Sequence, residues 1–209
     1  MKYRLALFDM DSTLINEEII DELAASAGKK AEVSRITERA MRGELDFKSA
    51  LRERVALLEG LQESSLATVS SKVTFSEGAE ATIEKMKSLG MKVGVVSGGF
   101  HEVIDPVLSE LELDLVSANS LEVREGVLTG KVIGPIIDAE GKKNTLLDFA
   151  QKNSIPLDET IAIGDGANDI QMIQLAGLGV SFRGKDVLNA HAAVILENSM
   201  VEIFDYLSD

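Results

Sequence analysis

The chain has no cysteine and no tryptophan, only two histidines and three prolines, and an aromatic content of 4%. Without thiols there is no disulfide, no thiolate nucleophile and no Cys-based zinc site. Neither His101 nor His191 has a second histidine at ligand spacing. His101 is a candidate for the rim of a site, and His191 reads as ordinary surface or partial core. Scarce proline, no polar tract and 45% hydrophobic residues exclude a disordered chain. Basic side chains are in deficit, 21 against 35 acidic ones, for a formal charge of −14. Such a surface repels nucleic acid and anionic bilayers, so neither is an expected partner, although a local pocket can carry the opposite sign. No run is long enough to span a membrane, and the first ten residues lack the apolar stretch of a secretory signal. A cytoplasmic protein, monomer or homodimer, is the default expectation.

What is present is a pattern of punctuated strands. In 209 residues there is room for one substantial core plus an insert. Residues 3–8 read as a buried strand, and the next sheet pattern waits until 91–96. Between them lie helical stretches at 17–27, 31–41, 47–59 and 66–73, then an amphipathic helix at 77–89. One crossover needs far fewer residues, so 14–74 reads as a helical cap inserted into a core of 1–13 and 75–209. Beyond 91 the pattern alternates: helix 101–111, strand 114–118, a hairpin over 121–132, helix 142–153, strand 160–163, helix 168–176, and short strands at 178–181 and 193–195. This predicts an α/β fold, a Rossmann-like doubly wound, mainly parallel sheet whose right-handed crossovers bring strand ends to one edge. Phe8, Phe149 and Phe182 read as packing residues.

Four loops at or near strand ends carry the polar residues: D9-M-D-S-T13, S97-G-G99, Gly141-Lys142-Lys143 and G164-D-G-A-N-D169. Singly, each has a bland explanation as a solvated turn, a helix breaker or a helix cap. Together they supply what phosphoryl transfer needs: a nucleophile, a proton donor, a hard-cation site and fixed positive charge. Asp9 can attack phosphorus while Asp11 protonates the leaving oxygen and later activates water. A plain two-carboxylate glycosidase would have similar acids but no need of the remaining loops. Asp165, between two glycines, can join Asp9 in offering oxygens to Mg²⁺. Asn168 and Asp169 can cap the next helix or hold metal-bound water. Ser97 and the Gly98 backbone N–H can receive phosphate oxygens. Lys142 at the opening of a helix opposes the helix dipole, which an adjacent anion would explain; Lys143 reads as its solvated neighbour.

With these four motifs the chain resembles the haloacid-dehalogenase-like phosphatases over nearly its whole length, including the helical insert after the first motif. The resemblance implies Mg²⁺-dependent hydrolysis through a phospho-aspartyl intermediate on Asp9, with Asp11 as general acid and base. It implies metal held by Asp9, the Asp11 carbonyl and Asp165, and phosphate held by Ser97, Gly98 and Lys142, with Asn168 assisting. In the insert, E17-E-I-I-D21 and R52-E-R-V55 are similar to the branch that acts on O-phosphoserine. That likeness implies Glu18 for the substrate ammonium, Arg54 for its carboxylate and Phe47 packed near it. The partner implied is therefore a small phosphorylated amino acid. Read from the residues alone, Glu18, Phe47 and Arg54 are ordinary members of amphipathic helices. A broader phosphomonoesterase, a phosphotransferase and a non-catalytic phosphometabolite sensor are the alternatives, the last weakened by an intact Asp9–Asp11 pair.

Overall fold

The computed structural model describes residues 2–207. Seven strands form one sheet: β1 (Leu5–Asp9), β2 (Lys92–Phe100), β3 (Leu115–Arg124), β4 (Val127–Ile133), β5 (Thr160–Gly164), β6 (Leu178–Phe182) and β7 (Val194–Leu196). Their order in space is β4-β3-β2-β1-β5-β6-β7. Every neighbouring pair is parallel except β3 with β4. Helices α1 (Ile19–Ser26), α2 (Lys30–Met41), α3 (Phe47–Ala56) and α4 (Ser64–Ser70) follow one another after β1. The crossovers are α5 (Ala79–Ser88), α6 (His101–Leu108), α7 (Ala139–Lys152), α8 (Ile170–Leu175) and α9 (Asp186–Asn189). No helix among the described residues is long and apolar enough to cross a membrane.

The central strands read as continuous apolar runs because both faces are covered. In β1, Ala6 and Phe8 enter one apolar cluster and Leu5 and Leu7 the other, and in β5 Ile161 and Ile163 oppose Ala162 in the same way. Phe8, Phe149 and Phe182 are all buried, as their setting among aliphatics suggests. Gly94 lies in mid-strand because a Cβ there would stand 2.9 Å from the Phe149 ring and 3.0 Å from Leu115 Cβ. A larger residue there would have to displace the Phe149 ring of α7 and crowd Leu115 of β3. The first cluster runs on without a break into the inserted helices through Leu14, Ile19, Leu23, Val33, Leu51 and Leu66. Each such side chain contributes roughly 1.5–3 kcal/mol on burial.

Backbone pairings stitch the insert in two places, beside the Lys48–Asp138 ion pair (2.9 Å) and the Ser70 hydroxyl donating to Val103 O (2.8 Å). Near its ends Ile15 pairs with Phe75, and Asn16 N donates to Thr74 O at 3.0 Å. At the α3–α4 connection Gly60 N donates to Leu128 O (2.9 Å), Leu128 N to Leu61 O (2.8 Å) and Glu63 N to Gly126 O (2.8 Å). The connection thereby runs as a short extra ladder along β4.

Several boundaries differ from the sequence reading. The expected strand at 114–118 and the first arm of the hairpin are one strand, β3, which stays extended while its partner changes from β2 at Asn119 to β4 at Ser120. Its turn is Glu125-Gly126, both with positive φ (50° and 77°), the two-residue geometry that matches strand twist. Helix α1 starts at Ile19 because Glu18 is extended. Helix α7 starts three residues before the expected position, since the Asp138 carboxylate accepts from Gly141 N at 2.9 Å and caps it. Lys142 therefore lies one turn inside the helix and does not open it. A single turn at Ala167–Asp169 precedes α8, which begins at Ile170.

Candidate active site

The first two acids sit where a strand stops. β1 ends at Asp9, and Met10–Leu14 winds into an irregular turn closed by Ile15 N donating to Met10 O at 3.0 Å. Ser12 takes φ 56° within it. The pleat is thus broken between Asp9 and Asp11, so both carboxylates line one cavity. Asp9 is buried; its Oδ1 accepts from Met10 N (2.7 Å) and lies 2.5 Å from Lys142 Nζ. The ammonium, also buried, makes a second ion pair with Asp169 Oδ1 at 2.7 Å. Burial pulls Lys142 down, but Asp169 and Asp9 outweigh it and hold it charged. Burial and then the Asp169 carboxylate push Asp9 up, against the pull of Lys142.

Asp11 has a different environment. Its Oδ2 accepts from Ile19 N at 3.2 Å, while Oδ1 is buried without a partner. Burial, followed by the nearby Glu18 carboxylate, lifts its pKa to about 8. Asp11 therefore keeps a proton near neutrality and can donate it. Glu18 is fixed by Ser12, whose hydroxyl donates to Oε1 at 2.8 Å.

The second carboxylate group forms at the end of β5. Asp169 is fully buried and has no oxygen to spare: Oδ1 takes Lys142, and Oδ2 accepts from Asp165 N (3.2 Å) and Gly166 N (3.1 Å). It caps its own loop, and direct metal ligation by Asp169 does not suit that arrangement. Asp165 Oδ2 pairs with Lys185 Nζ at 3.2 Å. Burial pushes Asp165 up, with Lys185 opposing it. One oxygen each of Asp9, Asp165 and Asp169 lie within 4.8 Å of one another. Three carboxylates against one buried ammonium, all hard oxygen donors, fit a small divalent cation, and Asp9 and Asp165 are the two with donor capacity left.

The cavity, about 780 Å³, has two walls. The core contributes Asp9, Asp11, Gly98, Asp165 and Asn168, and the insert contributes Glu18, Phe47 and Arg54. The Phe47 ring lies close to Gly98, where an added Cβ would meet its Cζ at 3.3 Å. Arg54 donates from Nε to Ala50 O (3.3 Å) and has no ion pair within 4 Å among the described residues. Burial lowers its pKa, with Asp21, Glu18 and Asp11 opposing, but a guanidinium stays charged. Ser97 and Lys142 lie beneath the lining, fully buried. The Ser97 hydroxyl accepts from Gly99 N at 2.8 Å.

His101 does not reach the rim. Its Nδ1 faces Asp105 (2.9 Å) and its Nε2 accepts from Ala118 N (3.1 Å), tying α6 to β3. His191 is exposed beside Gln174. The residues that sequence reasoning missed are Lys185, Ser12 and Asn119. Lys185 follows Gly184 at the end of β6, another strand terminating on the same edge, and that position was the available signal.

A family model described as haloacid dehalogenase-like hydrolase matches residues 6–174, and the chain belongs to that family. It is 47% identical over 206 residues to the phosphoserine phosphatase of Streptococcus thermophilus, covering 98% of this chain and 96% of the relative. Phosphoserine phosphatase SerB2 of Mycobacterium tuberculosis is 46% identical over 204 residues; the match covers 98% of this chain but 50% of that longer protein. A solved structure described as a phospho-aspartyl intermediate analogue of phosphoserine phosphatase superposes with a TM-score of 0.91 at 42% identity, covering 99% of each chain. Within the family, the chain stands among the phosphoserine phosphatases.

Proposed function

We propose that the chain hydrolyses O-phosphoserine to serine and phosphate, with Mg²⁺, through a phospho-aspartyl intermediate. The observation that carries this reading is one cavity that holds two buried carboxylates with different partners beside an acid and a guanidinium from the insert. Asp9 is pinned by Lys142 at 2.5 Å, while Asp11 has no ion pair among the described residues and keeps Oδ1 free of any hydrogen-bond partner, and both line one cavity with Glu18 and Arg54.

In the first step an Asp9 oxygen bonds to phosphorus, the bond from phosphorus to the serine oxygen breaks, and that oxygen takes the Asp11 proton. In the second, Asp11 accepts a proton from water as the water oxygen attacks phosphorus, releasing phosphate and regenerating Asp9. Ser97 and the Gly98 backbone, with Lys142 behind them, receive the phosphate oxygens, and Asn168 adds an amide at the rim. Asp9, the Asp11 carbonyl and Asp165 would hold Mg²⁺, which when bound offsets the negative charge between carboxylate and phosphate. Glu18 attracts the ammonium and Arg54 offers two parallel bonds to the carboxylate, with Phe47 packing against the substrate. Residues 14–74 act as the cap over a core of 1–13 and 75–209 and exclude bulk water from the intermediate.

A panel of small phosphate esters, each assayed with Mg²⁺ and with chelator, tests the proposal. Phosphoserine turnover that chelator abolishes is expected. Equal rates across the panel would make the chain a broad phosphomonoesterase, and metal-independent turnover would remove the ion from the reaction.

A further inference from the structure

Pairing between β2 and β3 is interrupted inside β2, at Ser97-Gly98-Gly99. Val96 pairs with Ser117 and the next pair is Phe100 with Asn119, so Ser97, Gly98 and Gly99 stand against Ala118 alone. Such a bulge removes ladder partners from buried backbone groups, which must find others. Two of these groups belong to a single peptide unit. The Gly98 carbonyl accepts from Asn119 Nδ2 at 2.8 Å, and the Gly99 N–H donates to Ser97 Oγ at 2.8 Å. A planar peptide gripped at both ends has its orientation fixed. Ser97 Oγ has then spent an acceptor position, which leaves its proton free to donate to another oxygen.

Asn119 is 1% exposed, and the other end of its amide is also engaged: Oδ1 accepts from Ile137 N at 2.9 Å. Ile137 immediately precedes Asp138, the cap of the helix that carries Lys142. The carbonyl can only accept and the N–H can only donate, so an amide suits both and a carboxylate does not. We infer that Asn119 is a positioning residue for the reaction, locking the Gly98–Gly99 peptide and the Ser97 hydroxyl in register with the start of α7. Phosphate then meets donors already set in place. The inference rests on the proposed function in one respect, that phosphate binds at this loop.

Asn119→Asp preserves shape but turns an acceptor toward the Gly98 carbonyl. When ionised the new carboxylate repels it; when protonated its O–H replaces the lost amide donor. Asn119→Leu lacks both bonds at every pH. Competitive inhibition by inorganic phosphate should weaken in Asn119→Asp by roughly 10- to 100-fold at pH 8, the scale of a misplaced binding group. The deficit relative to wild type should shrink toward pH 5.5, while in Asn119→Leu it stays constant. Mg²⁺ affinity by calorimetry should be unchanged. Wild-type inhibition in Asn119→Asp at pH 8, or a deficit that does not vary with pH, would overturn the positioning role. Where Asn119→Asp does not fold, amide exchange in the wild-type protein decides. Gly99 and Ile137 should both be protected before phosphate is added, and a Gly99 amide protected only by phosphate overturns the inference. Failure of the wild-type protein to bind inorganic phosphate sinks the phosphatase reading itself.

Discussion

Gly164→Ala is the smallest substitution expected to dismantle the buried charge cluster. An added Cβ would stand 2.4 Å from Asp169 Cγ, 2.5 Å from Oδ2 and 2.7 Å from its Cβ. Non-bonded carbons rest about 3.5–4.0 Å apart, so the Asp169 side chain must retreat by roughly 1 Å. That retreat stretches all three of its bonds, to Lys142 Nζ (2.7 Å), Asp165 N (3.2 Å) and Gly166 N (3.1 Å). Breaking a buried ion pair costs about 3–5 kcal/mol because a charge is left uncompensated. For a chain of this size, each kcal/mol lowers the midpoint by about 2–4 °C, so the loss should be roughly 6–20 °C. Calorimetric melting of the metal-free protein measures it. The cycle with Asp169→Gly separates this cause from overpacking against the rest of the core: once the whole Asp169 side chain is gone, its Cβ at 2.7 Å included, Gly164→Ala should add little. A loss below about 1 kcal/mol, or full additivity in the cycle, would refute the account.

Other perturbations act on the chemistry. Asp9→Asn should abolish hydrolysis with the fold retained, and Asp11→Asn should slow turnover by about 10²–10⁴-fold; wild-type turnover in Asp9→Asn would remove it as nucleophile. Glu18→Gln and Arg54→Lys should lose far more kcat/KM on phosphoserine than on an ester lacking the amino-acid head group, and equal losses would assign both residues to folding. In the metal-free protein Asp11, lifted to about 8, binds a proton that the unfolded chain has released above about pH 4. The folded state therefore holds more protons across that window, and stability should fall as pH rises from about 4 through 8. Denaturant melts should show this slope flattened in Asp11→Asn, and an unchanged slope would contradict the assignment.

The fold was legible because its strands are buried on both faces and its helices carry stripes, so periodicity alone separated the insert from the alternating core. Asp9, Asp11 and Asp165 were legible because the ends of β1 and β5 share one edge of a parallel sheet, and Ser97 because of the two glycines after it, although β2 runs on past the expected end at 96 and Ser97 lies inside it. Glu18, Phe47 and Arg54 became visible only through resemblance, since nothing in an amphipathic helix says which polar residue faces a cavity. Asn119 gave no local sign, and Lys185 gave only its place just after β6. The first acts through partners 21 and 18 residues away, and the second through an acid 20 residues earlier. His101 was misplaced for the same reason, because its use is to satisfy an amide on β3. Helix α7 starts before Lys142 because the Asp138 carboxylate caps it through Gly141 N, a bond made by a residue outside the apolar stripe.

The ladder between the α3–α4 connection and β4 has a consequence for traffic. A flap fastened only where it begins and ends could lift away as a whole, but this one is also sewn along its far margin. On another side the lining includes Met41, at the end of α2 and 79% exposed, and Val187, 48% exposed. Widening the cavity on that side breaks none of the pairings to β4, whereas widening it from the β4 side breaks three backbone hydrogen bonds.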